Sequence, residues 1–299
     1  MRSVRFHEFG GPEVLRLEEV VEPHAGPGQV RVRVHACGVN PADWKIRQGD
    51  LGGELPQGVG LEVSGVIDEL GAGVSDVGLG DRVFGSTSGG AADNALLSDY
   101  ARVPDGLDLV QAAALPVAVE TATRGLDLLG VRAGHTLVIN GAGGAVGTVA
   151  TQLAIAGGAT VIATTSEANA ARLRGYGAVT TSYGNGLVER VAELAPGGVD
   201  LGFDMGPAGA LPGLVQLTGD PGRVLTISDF ANAAASGVRT TGPAGTTFRW
   251  DVLPHAASLA AQGELALPLQ QVLPLEQVAE AQRLSQTGHR SGKLVLLVD

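Results

Sequence analysis

The sequence predicts an α/β protein in which a doubly wound parallel sheet is joined to a second, mainly β domain. From about Leu107 onward, strand and helix patterns alternate, which is typical of a parallel sheet covered on both faces. The residues before that point form short β segments between turn signals. Within the alternating part, a glycine-rich turn joins an apolar strand to a helix. A chain of 299 residues is long enough to bury the cores of two domains.

The individual elements follow from local patterns. In the first part, strands are predicted over residues 29–34, 63–67 and 81–84. In the second part, a helix is predicted over 115–129, a strand over 136–139, a helix over 148–157, a strand over 159–164 and a helix near 167–174, and segments 186–194, 199–203 and 223–227 continue the alternation. Residues 229–245 are small and polar, which predicts a surface loop or flap. The tail predicts a helix over 275–286 and a last strand over 293–298.

The most informative stretch is the glycine turn within residues 138–149 (VINGAGGAVGTV). With the strands on either side, it completes a βαβ unit of the Rossmann type. Glycines let the backbone approach a diphosphate, and the first amides of the helix and its dipole face the anion. The alternative is a loop that only connects two core elements. The residues predicted to hold a pyrophosphate are Gly141, Ala142, Gly144, Ala145, Val146 and Gly147.

Composition and charge exclude several classes of function. Lys and Arg number 20 against 31 Asp and Glu, a formal charge of −11, so neither a nucleic acid nor an anionic membrane surface is expected as a partner. The N-terminus lacks an apolar signal segment, and no stretch approaches the roughly 20 apolar residues of a membrane helix, so a cytoplasmic protein is expected. Because Cys37 is the only cysteine, an intrachain disulfide and a tetrathiolate zinc site are excluded.

Further blocks of sequence surround the glycine turn in a fixed order. They are 39–45 (VNPADWK) with Arg47 and Gly49, 60–65 (GLEVSG), 80–84 (GDRVF), 113–116 (AALP) with Thr121 and Ala122, Val199 and Asp200 with Asp204, and 291–293 (SGK). In these blocks the whole chain resembles the medium-chain dehydrogenase/reductase superfamily, and within it the zinc-independent quinone oxidoreductase branch. The resemblance implies a GroES-like catalytic domain over 1–112 and 265–299, to which the last strand returns, and a Rossmann domain over 113–264. It also implies a homodimer formed through the edge of the cofactor-domain sheet.

The resemblance also bears on metal binding. The zinc alcohol dehydrogenases of the superfamily place a metal-binding Cys where this chain has Asn40, and a His where it has Leu61. Asn is a poor zinc ligand and Leu is none, and the six histidines show no paired metal spacing. We therefore expect a reductase without a metal.

The resemblance implies a nicotinamide dinucleotide, and the residues after the second strand bear on which one. An NAD-selective site usually places an acid there, about 20 residues after the turn. This chain has Thr164, Thr165 and Ser166, whose short hydroxyl side chains leave room for a 2′-phosphate and can donate to it. Arg172 or Arg174 would add positive charge. The sequence therefore favours NADPH.

Two neighbouring residues leave the choice of cofactor open. Glu167 is an alternative acid for the ribose, and Ala168 stands where related NADPH enzymes often carry a basic residue. Tyr183 resembles the tyrosine of the family that lies against the adenosine phosphate, and the alternative is an ordinary core or surface tyrosine.

Asn40 is the first candidate for the chemistry at the nicotinamide. Its amide would donate to the substrate oxygen that becomes negative. The alternative is a purely structural role, because Asn40 before Pro41 also reads as a helix N-cap. Asp43 is expected to be a structural group at the same helix start rather than a general base.

Four further residues are candidates for the site. Thr121 resembles the threonine of the family near the nicotinamide, with helix packing as the alternative. Lys293 would reach the cofactor from the last strand, or else is an exposed lysine on a turn. Ile227 and Ser228 end a parallel strand, where open α/β sheets bind ligands, so backbone contacts to the nicotinamide are expected. Cys37 is expected to be a small core residue.

Together these features predict an NADPH-dependent reductase that transfers a hydride to a small, uncharged quinone or conjugated enone. Such acceptors are electron-poor, so positioning and water exclusion suffice for most of the catalysis. One alternative is an enoyl-thioester reductase, but related enzymes often carry a tyrosine just after the NPxD helix, and residues 47–51 (RQGDL) contain none. Another alternative is an NADPH-binding structural or regulatory protein with little turnover.

Overall fold

The computed structural model describes residues 1–242, 246–288 and 291–298 of the chain. The chain forms two compact units, one from Met1–Val117 with Trp250–Asp299 and the other from Ala118–Arg249. We call them the β unit and the sheet-helix unit. Their boundaries differ from the predicted 112/113 and 264/265, since residues 250–264 pack with the β unit, where the helix over Leu253–Ala261 contacts the strand over Asp99–Arg102. Among the described residues, no helix combines the length and the apolar character needed to cross a bilayer.

Strands and helices alternate in the order that the sequence predicts. The strands are β1 (Arg2–Phe6), β2 (Arg16–Glu19), β3 (Val30–Val39), β4 (Gln57–Gly58), β5 (Glu62–Leu70), β6 (Arg82–Ser86), β7 (Asn94–Leu97), β8 (Asp99–Arg102), β9 (Thr136–Asn140), β10 (Thr160–Thr164), β11 (Val179–Thr181), β12 (Leu201–Asp204), β13 (Val224–Thr226), β14 (Arg239–Thr240), β15 (Leu269–Pro274) and β16 (Lys293–Leu297). The α-helices are α1 (Pro41–Gln48), α2 (Leu109–Ala113), α3 (Pro116–Leu129), α4 (Ala145–Ala156), α5 (Glu167–Gly175), α6 (Leu187–Leu194), α7 (Leu211–Thr218), α8 (Phe230–Ser236), α9 (Leu253–Ala261) and α10 (Val278–Gln286). Short 3-10 helices cover Pro12–Val14, Pro221–Arg223, Trp250–Val252 and Leu275–Gln277.

The sheet-helix unit is a doubly wound parallel sheet. Within the described part of the chain, its strand order is β11-β10-β9-β12-β13-β14, and every pair is parallel. Because both faces are covered, the middles of the central strands are apolar: Val138, Ile162 and Val224 are buried, and Leu211 and Leu214 of α7 pack in the same core. The order reverses next to β9, the point at which such sheets bind dinucleotides. The predicted α/β class and Rossmann sheet are confirmed.

The β unit is built around a sheet in which β16 pairs antiparallel with β3. The order is β15-β16-β3-β5-β6-β8, with β7 also on β3, and a second sheet has the order β2-β1-β4. The prediction that the last strand returns to the first domain is therefore confirmed. Cys37 lies in β3 opposite Leu296, fully buried, as expected of a core residue. Burial raises the pKa of its thiol well above the ordinary value.

The prediction of a surface loop or flap over residues 229–245 is wrong for the described part of this segment. In their described part the chain forms α8 and β14 rather than a loop or flap, and residues 243–245 lie outside the described residues. The helix is built from small side chains, FANAAAS, of which Ala233 is buried, so no apolar stripe marks it in the sequence. Alanine nevertheless has the highest helix propensity. Gly237, at a φ of 65°, ends the helix.

Helix α3 offers a test of packing in the sheet-helix unit. A methyl group on Gly125 would overlap the ring of Phe203, which is fully buried in β12. We expect Gly125→Ala to lower the free energy of unfolding by about 1–3 kcal/mol, because the clash outweighs the gain in helix propensity. Gly175→Ala in α5 is the matched control, since nothing lies within 4 Å of that position. Urea unfolding of both variants tests this, and equal stability of the two would contradict it.

Candidate functional site

Polar side chains end four neighbouring strands of the parallel sheet and bond to one another. Asn140 ends β9 and donates from Nδ2 to Oδ1 of Asp204 at 2.8 Å, and its Oδ1 accepts from Oγ1 of Thr164 at 2.6 Å. Oγ1 of Thr226 donates to Oδ2 of Asp204 at 2.6 Å, and Oγ of Ser228 donates to the same oxygen at 3.1 Å. Burial raises the pKa of Asp204, and these donors oppose that effect. The resulting network shapes the carboxyl edge of the sheet.

The glycine turn lies directly beside this network, between β9 and α4. Gly141 has a φ of 83°, and a Cβ on it would lie 2.7 Å from the backbone of Gly206. A Cβ on Gly147 would lie 2.5 Å from the carbonyl oxygen of Gly141 and 2.6 Å from Cα of Ala142. Only glycine fits these two positions, because the turn and the helix approach each other at backbone distance.

The amino end of α4 suits an anion. The helix begins at Ala145 rather than at the predicted residue 148, and its N-cap, Gly144, supplies no side-chain hydrogen bond. Thr148 makes the first helical bond, to the carbonyl of Gly144 at 2.8 Å. The amides of Ala145, Val146 and Gly147 precede it and find no carbonyl within the helix. With the helix dipole they present the arrangement in which helix ends hold anions, and an anion bound at this turn stays a prediction.

A cavity of about 360 Å³ opens where β10 and β11 end. Its lining is rich in short hydroxyl side chains and consists of Thr165, Ser166, Glu167, Ala170, Arg174, Thr180, Thr181, Ser182 and Tyr183. Thr165 is buried, and among the described residues its Oγ1 has no hydrogen-bond partner. A Cβ on Gly143 would lie 2.9 Å from this oxygen, so the unpartnered hydroxyl stands against the glycine turn. Buried hydroxyls normally have a partner, so this one is available to a ligand.

Arg174, not Arg172, lines the cavity. Arg172 instead holds the glycine turn: its Nη1 donates to Oγ1 of Thr148 at 2.9 Å, and its Nη2 donates to the carbonyl of Gly143 and to Oδ1 of Asn169, both at 3.0 Å. Two residues along a helix turn the side chain by about 200°, so the two arginines of α5 face opposite sides. Arg174 donates from Nη1 to Oγ1 of Thr180 at 2.9 Å.

The other predicted cofactor residues divide between the cavity and the network. Thr165, Ser166 and Tyr183 line the cavity, and Tyr183 is 53% exposed. Thr164 does not line it, because it is fully buried with its hydroxyl on Asn140. Of the pair after β13, Ser228 belongs to the network. Ile227 donates its N–H to the carbonyl of Asp204 at 3.0 Å.

Sequence reasoning missed the network that joins these residues. Asn140 was not singled out, and Asp204 figured only in the resemblance. A signal was present, however: a polar residue closes each of four apolar strands, and in a parallel sheet these ends share one edge.

Thr121, in α3, lies next to a buried ion pair. Its Oγ1 donates to Oε2 of Glu120 at 3.3 Å. Glu120 is bound in turn by Arg124, with 2.6 Å between Oε1 and Nε. The hydroxyl proton of Thr121 therefore points toward Glu120, which leaves the oxygen as an acceptor.

In the β unit, a buried triad joins Asn40, Glu62 and Lys293. Nζ of Lys293 donates to Oδ1 of Asn40 at 2.6 Å and forms an ion pair with Oε1 of Glu62. Nδ2 of Asn40 donates to the same Glu62 oxygen at 2.7 Å, and Oε2 of Glu62 accepts from the amide of Val117, also at 2.7 Å. The alternative of an exposed lysine on a turn is therefore wrong, since Lys293 begins β16 and is 1% exposed. A contact between Lys293 and the cofactor stays a prediction.

The start of α1 positions both Asn40 and Asp43. The helix begins at Pro41, so Asn40 has the N-cap position as predicted, and it forms a capping box with Asp43. The carboxylate of Asp43 accepts from the amide of Asn40 at 2.7 Å and from that of Gly60 at 2.9 Å. Burial raises the pKa of Asp43 to about 6, against the effect of these two donors. These bonds give Asp43 the structural place at the helix start that the sequence predicts.

The residues at the superfamily's zinc position do not fit a metal. The Lys293 ammonium group, held by Asn40 and Glu62, would repel a cation, and the neighbouring Leu61 offers no ligand. Throughout the described ranges, no group of three His, Cys, Asp or Glu side chains is placed to hold a metal ion. Metal independence itself stays a prediction.

The raised pKa of Asp43 makes stability depend on pH. In the unfolded chain this carboxyl ionises near pH 4, and in the folded protein near pH 6. Between these values the folded state holds the extra proton, so we expect the contribution of Asp43 to the free energy of unfolding to fall as the pH rises through this window. Comparing urea unfolding of the wild type and Asp43→Asn from pH 4 to 7 isolates the effect. A difference that does not change with pH would contradict it.

The family model for the alcohol dehydrogenase GroES-like domain matches residues 26–110, and that for zinc-binding dehydrogenases matches residues 177–296. The quinone oxidoreductase of Rattus norvegicus is 44% identical over 172 residues, which are 55% of this chain and 52% of that protein. In this match the chain spans about half the length of its curated relatives.

Two further relatives match along the whole chain. The NADPH-dependent alkenal/one oxidoreductase of Arabidopsis thaliana chloroplasts is 31% identical over 318 residues, covering 99% of this chain and 79% of that protein. The structure of the quinone oxidoreductase from Coxiella burnetii has a TM-score of 0.85 and 28% identity, covering 100% of this chain and 99% of its own. The chain therefore belongs to the medium-chain dehydrogenase/reductase superfamily and, within it, to the quinone oxidoreductase branch.

Proposed function

We propose that this protein is an NADPH-dependent reductase that transfers a hydride to a quinone or an activated enone. The observation that carries the proposal is the cavity at the ends of β10 and β11, where hydroxyl groups and one guanidinium meet beside the glycine turn. A dinucleotide lying across the carboxyl edge of the sheet would place its pyrophosphate on the amides at the start of α4 and its adenosine ribose in the cavity.

The lining of the cavity favours a 2′-phosphate over a free 2′-hydroxyl. Arg174 supplies a permanent positive charge, and Thr165 and Ser166 supply hydroxyl donors at the position where NAD-selective sites usually have an acid. Glu167 also lines the cavity and would repel a phosphate, which makes Arg174 the residue on which NADPH selectivity depends. The Arabidopsis relative is an NADPH-dependent enzyme, which supports the same choice.

The acceptor is proposed from the relatives and from the chemistry. The rat relative is a quinone oxidoreductase, and the Arabidopsis relative is an alkenal/one oxidoreductase. Quinones, alkenals and enones are all conjugated and electron-poor. The bound nicotinamide would supply the hydride. No metal is then required, in keeping with the Lys293 ammonium at the superfamily's zinc position. In addition, β14 at the edge of the parallel sheet is proposed as the pairing surface of a homodimer.

The two arginines of α5 give a matched pair of variants for cofactor choice. We expect Arg174→Ala to raise the Kd for NADPH about tenfold or more and to leave that for NADH unchanged, because only NADPH carries the phosphate. Arg172→Ala loosens the glycine turn and should weaken the binding of both cofactors to the same extent. Titration of intrinsic fluorescence with each cofactor measures these constants. An equal loss of affinity for both cofactors in Arg174→Ala would contradict the assignment of Arg174 to the 2′-phosphate. Tighter binding of NADH than of NADPH by the wild type would contradict it as well.

A direct assay tests the acceptor class. We expect metal-stripped protein to oxidise NADPH when 1,4-benzoquinone or a short α,β-unsaturated ketone is added, because electron-poor acceptors need little acid catalysis. The loss of NADPH absorbance measures the rate, with crotonyl thioester run alongside. Faster turnover of the thioester would favour an enoyl reductase instead. Tight NADPH binding without turnover of any acceptor would indicate a binding protein.

A further inference from the structure

The buried triad of the β unit fixes the orientation of one amide. Asn40 has a charged partner at each end of its amide: Lys293 can only donate, and ionised Glu62 can only accept. The amide oxygen must therefore face Lys293 and the amide nitrogen must face Glu62. The bonds within the triad use one hydrogen of Nδ2, so the second hydrogen has a direction set by the two charges.

The surroundings show that this arrangement is built closely around the carboxylate of Glu62. Glu62 is fully buried, Lys293 is 1% exposed and Asn40 is 4% exposed, so Asn40 is the most exposed member of the triad. A Cβ on Gly38 would overlap the Glu62 carboxylate and lie 2.7 Å from the carbonyl oxygen of Ala113. This carboxylate has room because position 38 of β3 is a glycine, which has no side chain.

A buried ion pair is a weak source of stability, since desolvation of the two charges offsets their attraction. Two well-packed apolar residues would serve the fold as well. The pair is therefore better explained by what it does to the third member, Asn40.

We propose that Lys293 and Glu62 are positioning residues that hold the amide of Asn40 as a fixed hydrogen-bond donor to the carbonyl oxygen of the acceptor. The proposal rests on the reductase function proposed above and identifies which group meets the developing negative charge. When a hydride is added to a conjugated carbonyl compound, the electron pair moves to the oxygen, which becomes an enolate or phenolate until it takes a proton from water. A preorganised N–H donor stabilises that oxygen.

The ammonium group strengthens the donor as well as orienting it. A hydrogen bond from Lys293 to Oδ1 draws electron density from the amide, which makes the Nδ2 hydrogens better donors in a low-dielectric interior. At the position where zinc alcohol dehydrogenases use a metal, this chain would then use an ammonium group that acts through an amide.

The experiment separates a catalytic effect from a structural one. Lys293→Met removes the cation but leaves Glu62 as an unpaired buried carboxylate, so this variant alone can lose activity by misfolding. The double variant Lys293→Met with Glu62→Gln is neutral and should regain the thermal stability of the wild type. We expect it to lose about 10- to 100-fold in kcat at saturating NADPH with a cyclic enone as acceptor.

A second acceptor distinguishes a catalytic role from a structural one, because a structural defect would lower kcat equally for both acceptors. An enone needs more stabilisation of its oxyanion than 1,4-benzoquinone, whose reduced form spreads the charge over an aromatic ring. The loss in kcat should therefore be several-fold larger for the enone. Lys45→Met is the matched control, because it removes the same charge from the same unit but lies over the ring of Trp44, and it should leave both rates unchanged.

Each outcome decides between the alternatives. Wild-type kcat in the stable double variant, or equal losses for the two acceptors, would overturn the proposal while leaving the reductase function intact. A wild-type protein that reduces neither acceptor would instead overturn the proposed function, a result that is seen before any variant is made.

Discussion

The close approach of the glycine turn to its neighbours is the constraint on which the cofactor side of this protein depends. Gly141 lies against Gly206, and Gly147 lies against Gly141 and Ala142, at distances that leave no room for a Cβ. This packing brings the first turn of α4 up to the end of β9. The uncapped amides of the helix then stand beside the Asp204 network, where the strands end, and an anion can be held by the backbone alone.

Around that turn, side chains are used to stiffen backbone rather than to meet a ligand. Arg172 holds the carbonyl of Gly143, and Asn140 and Thr164 tie the end of β9 to that of β10. The groups left for a ligand are those that make no hydrogen bond within the described part of the chain, such as the hydroxyl of Thr165. The same division recurs in the β unit, where the carboxylate of Asp43 holds the backbone of Asn40, while the side chain of Asn40 bonds to Lys293 and Glu62.

The two buried aspartates in these clusters respond to burial in the same way. Asp43 and Asp204 both have raised pKa values because burial disfavours the ionised form, although backbone or hydroxyl donors oppose it. Neither acid has a basic partner bonded to it in the described contacts. Glu62, by contrast, has Lys293, and this pair is the more demanding arrangement, since both charges must be desolvated together.

The sequence by itself determined the fold class, the glycine turn and the hydroxyl-rich end of β10, because these depend on local periodicity and on glycine, whereas the return of the last strand was implied only by the resemblance to a family. It did not reveal α8, whose small residues carry no apolar stripe, nor which arginine faces the cavity, because that depends on the rotation of α5 about its axis. The sequence left Lys293 as either a cofactor contact or a surface residue. Only the tertiary structure places it, 253 residues from Asn40 in sequence, in one hydrogen bond with it. Contacts between residues so distant in sequence follow from strand pairing, here of β16 with β3, which no local pattern specifies.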